Sequence, residues 1–301
     1  MGLTAAHPLD ALTADEVRRA VEVIRADARY EADAVFVHVR LHEPAKAVVL
    51  GYEPGAAVTR ELEALLVPPA RLEAIEVVVS VTERTICSWT VHAGMRPALL
   101  FGESMMAIIG VKEHPDWQAA LRRRGIEDFD LVQIDPWPAG SFGVAHEEGR
   151  RISRCISYVR EAATDNGYAR PIEGVIAFFD QGAGKVLEVV DLGEVPMPTA
   201  PGSYLPADVG PPRTDLKPLD IVQPEGPSFV VDGNHVRWSR WSFRVTFDPY
   251  EGLVLHTVRY HDADRVRPVL HRASISEMVV PYGDPGPMHG WKNAFDAGEW
   301  G

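Results

Sequence analysis

Thr13-Ala-Asp-Glu-Val-Arg-Arg-Ala-Val-Glu-Val-Ile24, followed by Val35-Phe-Val-His-Val-Arg-Leu41, switches from a helical to an alternating hydrophobic period. Thr13 and Glu16 have the spacing of a capping box, in which hydroxyl and carboxylate satisfy opposite orphan amides, so a helix starts here. Val17, Ala20, Val21 and Ile24 recur at helical spacing while Arg18, Arg19, Glu22 and Arg25 take the other faces, so this helix needs an apolar surface to lie on. Val35, Val37, Val39 and Leu41 alternate with Phe36, His38, Arg40 and His42 as a strand, and β-rich runs at 77–82 and 85–91 flank Glu83-Arg84. A helix covering one face of an antiparallel sheet is the α+β arrangement.

Outward from this unit the pattern repeats in kind. Helical stretches at 103–111 and 116–124 stop at Gly125, and strands are predicted over 129–134, 152–159, 175–180 and 186–191, the last two joined by the glycine-rich hairpin connection Gln181-Gly-Ala-Gly184. Nine prolines between 196 and 227 deny too many amides for a helix or a central strand and predict a stiff extended connector. Runs at 229–231, 236–247, 253–260 and 266–280, with turn residues in Asp232-Gly-Asn234 and Asp248-Pro-Tyr-Glu-Gly252, open a third, all-β region. The expected division is 8–95, 100–195, a linker at 196–228, and 229–301 as the start of a larger β domain. Ending at Gly298-Glu-Trp-Gly301 with no closing element, the sequence reads as the front part of something longer. A sheet cut partway leaves bare edges and uncovered apolar faces, so 229–301 is expected to be partly disordered or sticky.

Composition excludes several classes. With 301 residues, 46% hydrophobic and 24% charged, the chain has the balance of an ordinary globular protein, not a disordered or disulfide-stapled one. Thirty basic against 43 acidic residues, a net charge of −13, argue against nucleic acid as a partner. Only Cys87 and Cys155 are present, without C-x-x-C spacing, so a reducing cytoplasmic location is expected. Residues 1–12 lack a signal-peptide pattern and no apolar run approaches 18 residues, so no membrane partner is expected.

Several linked stretches carry a resemblance: Ile221-Val-Gln-Pro-Glu-Gly-Pro-Ser-Phe229, Arg237-Trp-Ser-Arg-Trp-Ser242, Leu255-His256, Arg267-Pro-Val-Leu270, Arg272-Ala-Ser-Ile-Ser-Glu-Met-Val-Val-Pro-Tyr-Gly-Asp-Pro285 and Asn293-Ala-Phe-Asp-Ala-Gly-Glu299. In this order they resemble the copper-containing amine oxidases, with weaker echoes in Glu148-Gly-Arg-Arg-Ile152 and Pro171-Ile-Glu-Gly-Val175. The resemblance implies two small cystatin-like α+β domains followed by the first strands of a large β-sandwich catalytic domain. It also implies oxidation of primary amines by oxygen to aldehyde, ammonia and hydrogen peroxide, using copper and topaquinone, a modified tyrosine, in a homodimer. By motif position the proton-abstracting base falls on Asp296, and the hydroxyl that hydrogen-bonds the quinone oxygen on Tyr282. Trp137 and Tyr168 fall where the family's second domain forms part of the substrate-channel wall, and Ala294 matches a gate position, where a small residue widens the entrance.

These residue types suit that chemistry. Apolar neighbours such as Trp291, Phe295 and Trp300 raise a carboxyl from its aqueous pKa of about 4 towards working pH. A phenol donates a short hydrogen bond to an oxyanion. The plainer use of the same residues is an Asp capping a turn before Gly298 and a Tyr, like Trp137 and Tyr168, packed in a core.

The cofactor's own motifs are missing. None of the eight tyrosines lies in Thr-x-x-Asn-Tyr, and the eleven histidines include no His-x-His pair. His38 and His42, on one strand face, are roughly 13 Å apart at strand rise, too far to share a metal directly, and read as ordinary structural histidines. The expectation is a chain that holds the base without copper or quinone and is inactive alone. The alternative is a non-catalytic binding or assembly module derived from the same domains. A dinucleotide-dependent oxidoreductase fails for want of G-x-G-x-x-G, and a serine hydrolase for want of G-x-S-x-G.

Overall fold

The computed structural model describes residues 7–69, 71–140, 143–145, 147–200, 202–275 and 278–292. The architecture is α+β, with three antiparallel sheets. Two compact units contain the described parts of Met1–Pro97 with Ile221–Met278, and of Ala98–Asp220 with Val279–Trp300. Among the described residues no helix is long and apolar enough to cross a membrane.

In the first unit α1 (Ala14–Ala26) starts at the predicted capping box: the Glu16 amide donates to Thr13 Oγ1 at 3.2 Å and the Thr13 amide to Glu16 Oε2 at 2.7 Å. There follow β1 (Val35–His42), α2 (Lys46–Leu50), β2 (Glu61–Val67), β3 (Glu73–Ser80) and β4 (Thr85–Ala93), the four strands paired in sequence order. The sequence reading misses β2, because Glu61-Leu-Glu-Ala-Leu-Leu66 consists of good helix formers. Leu62, Ala64 and Leu66 are nonetheless fully buried on one face, and burial at period two overrides propensity. With Ile75, Val77 and Val79 they meet Ala20 and Ile24 of α1 in one core. Buried Arg60 ties down the chain ahead of the helix, donating to Glu16 Oε1 at 3.0 Å and to the Pro8 and Asp10 carbonyls at 2.9 and 2.8 Å.

The second unit places α3 (Phe101–Lys112) and α4 (Pro115–Arg123) on a sheet of β5 (Val132–Pro138), β6 (Ile152–Val159), β7 (Val175–Asp180) and β8 (Lys185–Asp191), again in sequence order. The strand expected over 129–134 begins at Val132, because 129–131 form a 3-10 turn, and runs on through Pro136 and Pro138. Prolines are tolerated there because β5 is an edge strand. Alternation sends Ile134, Cys155, Val175, Ala177 and Phe179 towards the helices. On the opposite face Trp137, Ile152, Ile156, Ile176 and Phe178 pack with Met288 and Trp291. The sequence groups residues 281–292 with the strands that begin at 229, and Met288 and Trp291 of this stretch cover the second sheet.

The proline-rich stretch contains one helical turn, α5 (Pro206–Val209), with proline at its first position, where the missing amide costs nothing. Beyond it β9 (Phe229–Asp232), β10 (His235–Trp238), β11 (Trp241–Asp248), β12 (Gly252–Asp262) and β13 (Arg265–Ser274) form a five-stranded meander in the first unit. The run read as one strand over 236–247 is two, turned at Ser239 with φ +52°, and β13 stops at Ser274. Phe229, Val231, Trp238, Phe247, Leu253 and Val266 lie exposed, an uncovered apolar surface of the kind expected for this region.

Candidate active site

Residues 281–292 form a closed loop on the second sheet. Its ends meet where the Tyr282 amide donates to the Lys292 carbonyl at 3.2 Å. Inside it Gly286 and Gly290 share a 2.8 Å backbone hydrogen bond, and Asp284 Oδ1 accepts the Gly286 amide at 2.6 Å. A Cβ at Gly290 would stand 2.9 Å from the Asp284 carbonyl oxygen, so the turn closes only with glycine there. Trp291 Nε1 donates to the Pro287 carbonyl at 3.1 Å.

Trp137, buried on β5, is the centre of the cluster. Tyr282 meets it edge-on at 6.0 Å and 90°, and Trp291 at 5.9 Å and 82°, the perpendicular geometry that the ring quadrupoles favour. Buried Lys292 sets its ammonium 4.8 Å from the Trp137 ring centre, 5.7 Å from that of Tyr282 and 5.9 Å from that of Trp291. Arg154, opposite Trp137 in the sheet register, lies 5.1 Å over Trp291. Its charge is met by Glu147 through paired 2.9 and 2.7 Å hydrogen bonds, and both side chains are only 6% exposed. Cutting Arg154 would strip this buried carboxylate of its paired guanidinium. His289 Nε2 lies 3.3 Å from both Glu173 oxygens.

The structure thus brings together Trp137 and Tyr282, two of the residues singled out in the sequence. Tyr282 is 44% exposed. Tyr168 is elsewhere: exposed on the 3-10 turn Gly167–Ala169, its ring meets Tyr158 edge-on at 5.0 Å. Tyr158 is four residues beyond Arg154 on β6, roughly 13 Å along the strand on the same face. Ala294 and Asp296 lie outside the described residues. Lys292, Arg154 and Glu147 escape the sequence reading. The available signals were a lysine in a chain with 25 arginines among its 30 basic residues, and an arginine between Ile152 and Ile156 on an apolar strand face.

The described histidines do not assemble a metal site. Among the described residues no group of three or more His, Cys, Asp or Glu is placed to hold a metal ion, so the described residues do not fit copper. His38 and His42 instead flank one carboxylate, Glu63, at 4.0 and 3.4 Å, and Arg40 donates to it at 2.8 Å. The His38 ring and the Arg40 guanidinium hold the Glu63 carboxyl down at about 2, against the cost of its burial.

Three family models match in succession: the AGAO-like N2 domain over residues 13–89, the copper amine oxidase N3 domain over 104–203, and the copper amine oxidase enzyme domain over 230–301. The chain belongs to the copper amine oxidase family. It is 46% identical over 295 residues to a primary amine oxidase of Arthrobacter sp. (strain P1), a match covering 98% of this chain and 45% of that protein. It is 40% identical over 301 residues to a histamine oxidase of Arthrobacter globiformis, covering 98% and 43%. The chain therefore spans about half the length of the curated relatives it matches. Its structure is similar to that of a copper-containing benzylamine oxidase from Hansenula polymorpha, with a TM-score of 0.79 at 26% identity, covering 98% of this chain and 48% of the other.

Proposed function

We propose that this chain serves the oxidation of primary amines by oxygen to aldehyde, ammonia and hydrogen peroxide, contributing the proton acceptor Asp296 and the hydrogen-bonding phenol of Tyr282. Copper and topaquinone, which supply the redox chemistry in the complete enzyme, are not furnished by these residues. The observation that supports the reading most directly is the closed 281–292 loop, which packs Tyr282 edge-on against Trp137 and ends four residues before Asp296.

Within that reading Asp296 removes the proton from the carbon beside the amine nitrogen, while Tyr282 Oη donates to the developing oxyanion. Trp137, with Tyr168 farther along the same sheet face, lines the approach, and the small side chain of Ala294 leaves its entrance wide. Homodimerisation, a cytoplasmic setting suited to two free thiols, and the division at 8–95, 100–195, 196–228 and 229–301 belong to the same proposal.

The test is Asp296→Asn in the complete enzyme, assayed by peroxide release with a primary amine. A loss of about 10² to 10⁴-fold is expected for removing an acid–base catalyst. Wild-type turnover in that variant would overturn the assignment. The 301 residues alone are expected to release no peroxide.

A further inference from the structure

We propose that Glu147 and Arg154 are positioning residues that set how strictly the enzyme discriminates amines by bulk: the Arg154 guanidinium, oriented by Glu147, fixes the Trp291 ring and through it the Trp137 wall of the substrate approach. The proposal rests on the lining role given to Trp137 above and adds the groups that hold it in place.

Arg154 stands out on β6. Ile152 and Ile156, two residues to either side, share its face and pack in the apolar cluster, and an arginine buried between them gives up its hydration. Filling space would be served by apolar side chains of similar volume, and such replacements of a buried ion pair are often neutral or stabilising. What the pair supplies instead is a fixed plane. Glu147 accepts from Arg154 Nε at 2.9 Å and from Nη2 at 2.7 Å, a two-pronged geometry that holds the guanidinium in one orientation. Glu147 is itself anchored independently of Arg154, its amide donating to the Val144 carbonyl at 2.9 Å and its carbonyl accepting the Arg150 amide at 3.1 Å. So placed, the guanidinium carbon lies over two rings, 5.1 Å from the centre of Trp291 and 5.8 Å from that of Phe178. A planar cation is attracted to an aromatic face and packs flat on it, which an ammonium does not. Trp291, 7% exposed, in turn meets Trp137 edge-on at 5.9 Å, and Trp137 is opposite Arg154 in the sheet register. Contact therefore runs unbroken from Glu147 through Arg154 and Trp291 to the channel wall.

The measurement is the ratio of kcat/KM for two primary amines of unequal bulk that the complete wild-type enzyme oxidises, methylamine and benzylamine serving as the first pair. This ratio does not depend on how much of a variant is folded, so a merely structural role leaves it unmoved. Glu147→Leu combined with Arg154→Met keeps the volume and removes the plane, and is expected to shift the ratio about 10-fold. Arg154→Lys keeps the charge without the plane and is expected to shift it in the same direction; it decides the matter where the double variant does not fold. Trp137→Ala tests the lining role by itself. A ratio moved by Trp137→Ala but by neither of the other variants would overturn the positioning proposal alone. A ratio unmoved by Trp137→Ala would overturn the lining role and this proposal with it. Neither result bears on Asp296, whose role stands or falls on the turnover assay above.

Discussion

Glu63 sits between two imidazoles and a guanidinium, and this sets how the first unit responds to acid. Its carboxyl is held at about 2 in the folded chain, against an ordinary value of 4.5. A depressed carboxylate stabilises the fold above the unfolded value and loses that contribution as pH falls through the folded one. Acid unfolding is therefore expected to steepen between about pH 4.5 and pH 2. Glu63→Gln should flatten that limb in a circular-dichroism titration, and an unchanged profile would show that the ion pairs carry no weight. The two thiols are also unequal: Cys155 is buried, which pushes its thiol up, while Cys87 is exposed on β4. A thiol reagent is expected to label Cys87 alone in the folded chain and both in denaturant; rapid labelling of Cys155 would contradict this packing.

The helices make sharper predictions. Thr13→Ala removes the hydroxyl half of the α1 capping box and should cost about 1 kcal/mol in denaturant unfolding. Gly110→Ala sets two effects against each other. A helix-interior alanine gains about 1 kcal/mol over glycine, but the added Cβ would stand 2.5 Å from Cε2 of buried Phe179 on β7. Overpacking costs about 1–3 kcal/mol, so a net loss is expected. A gain in stability would mean that Phe179 can move aside.

The contrast between α1 and β2 shows what was legible in the sequence. In α1 the cap, the period and the burial agree, so the helix could be read residue by residue. In β2 helix-forming residues make a strand, because only the assembled core decides which period is buried. The same limit hid Lys292. A lysine near the end of the chain reads as a solvated charge until the loop closes and places it among three rings. Trp137 and Tyr282 were found through their surrounding motifs; that they touch depended on residues 281–292 folding onto the second sheet, which no local pattern announces.

At the scale of the whole molecule, the family's residues are unevenly represented. The loop that positions Tyr282 ahead of Asp296 is formed, while His-x-His and Thr-x-x-Asn-Tyr are absent from the 301 residues. The proposed function separates roles: proton transfer and substrate approach are assigned to these residues, and the redox groups are not. Metal analysis and visible absorption of the purified 301-residue chain, after aerobic incubation with copper and extensive dialysis, test this most directly. No retained copper and no absorption band in the visible range are expected. One tightly held copper per chain, or a covalent chromophore that reacts with a carbonyl reagent, would contradict it.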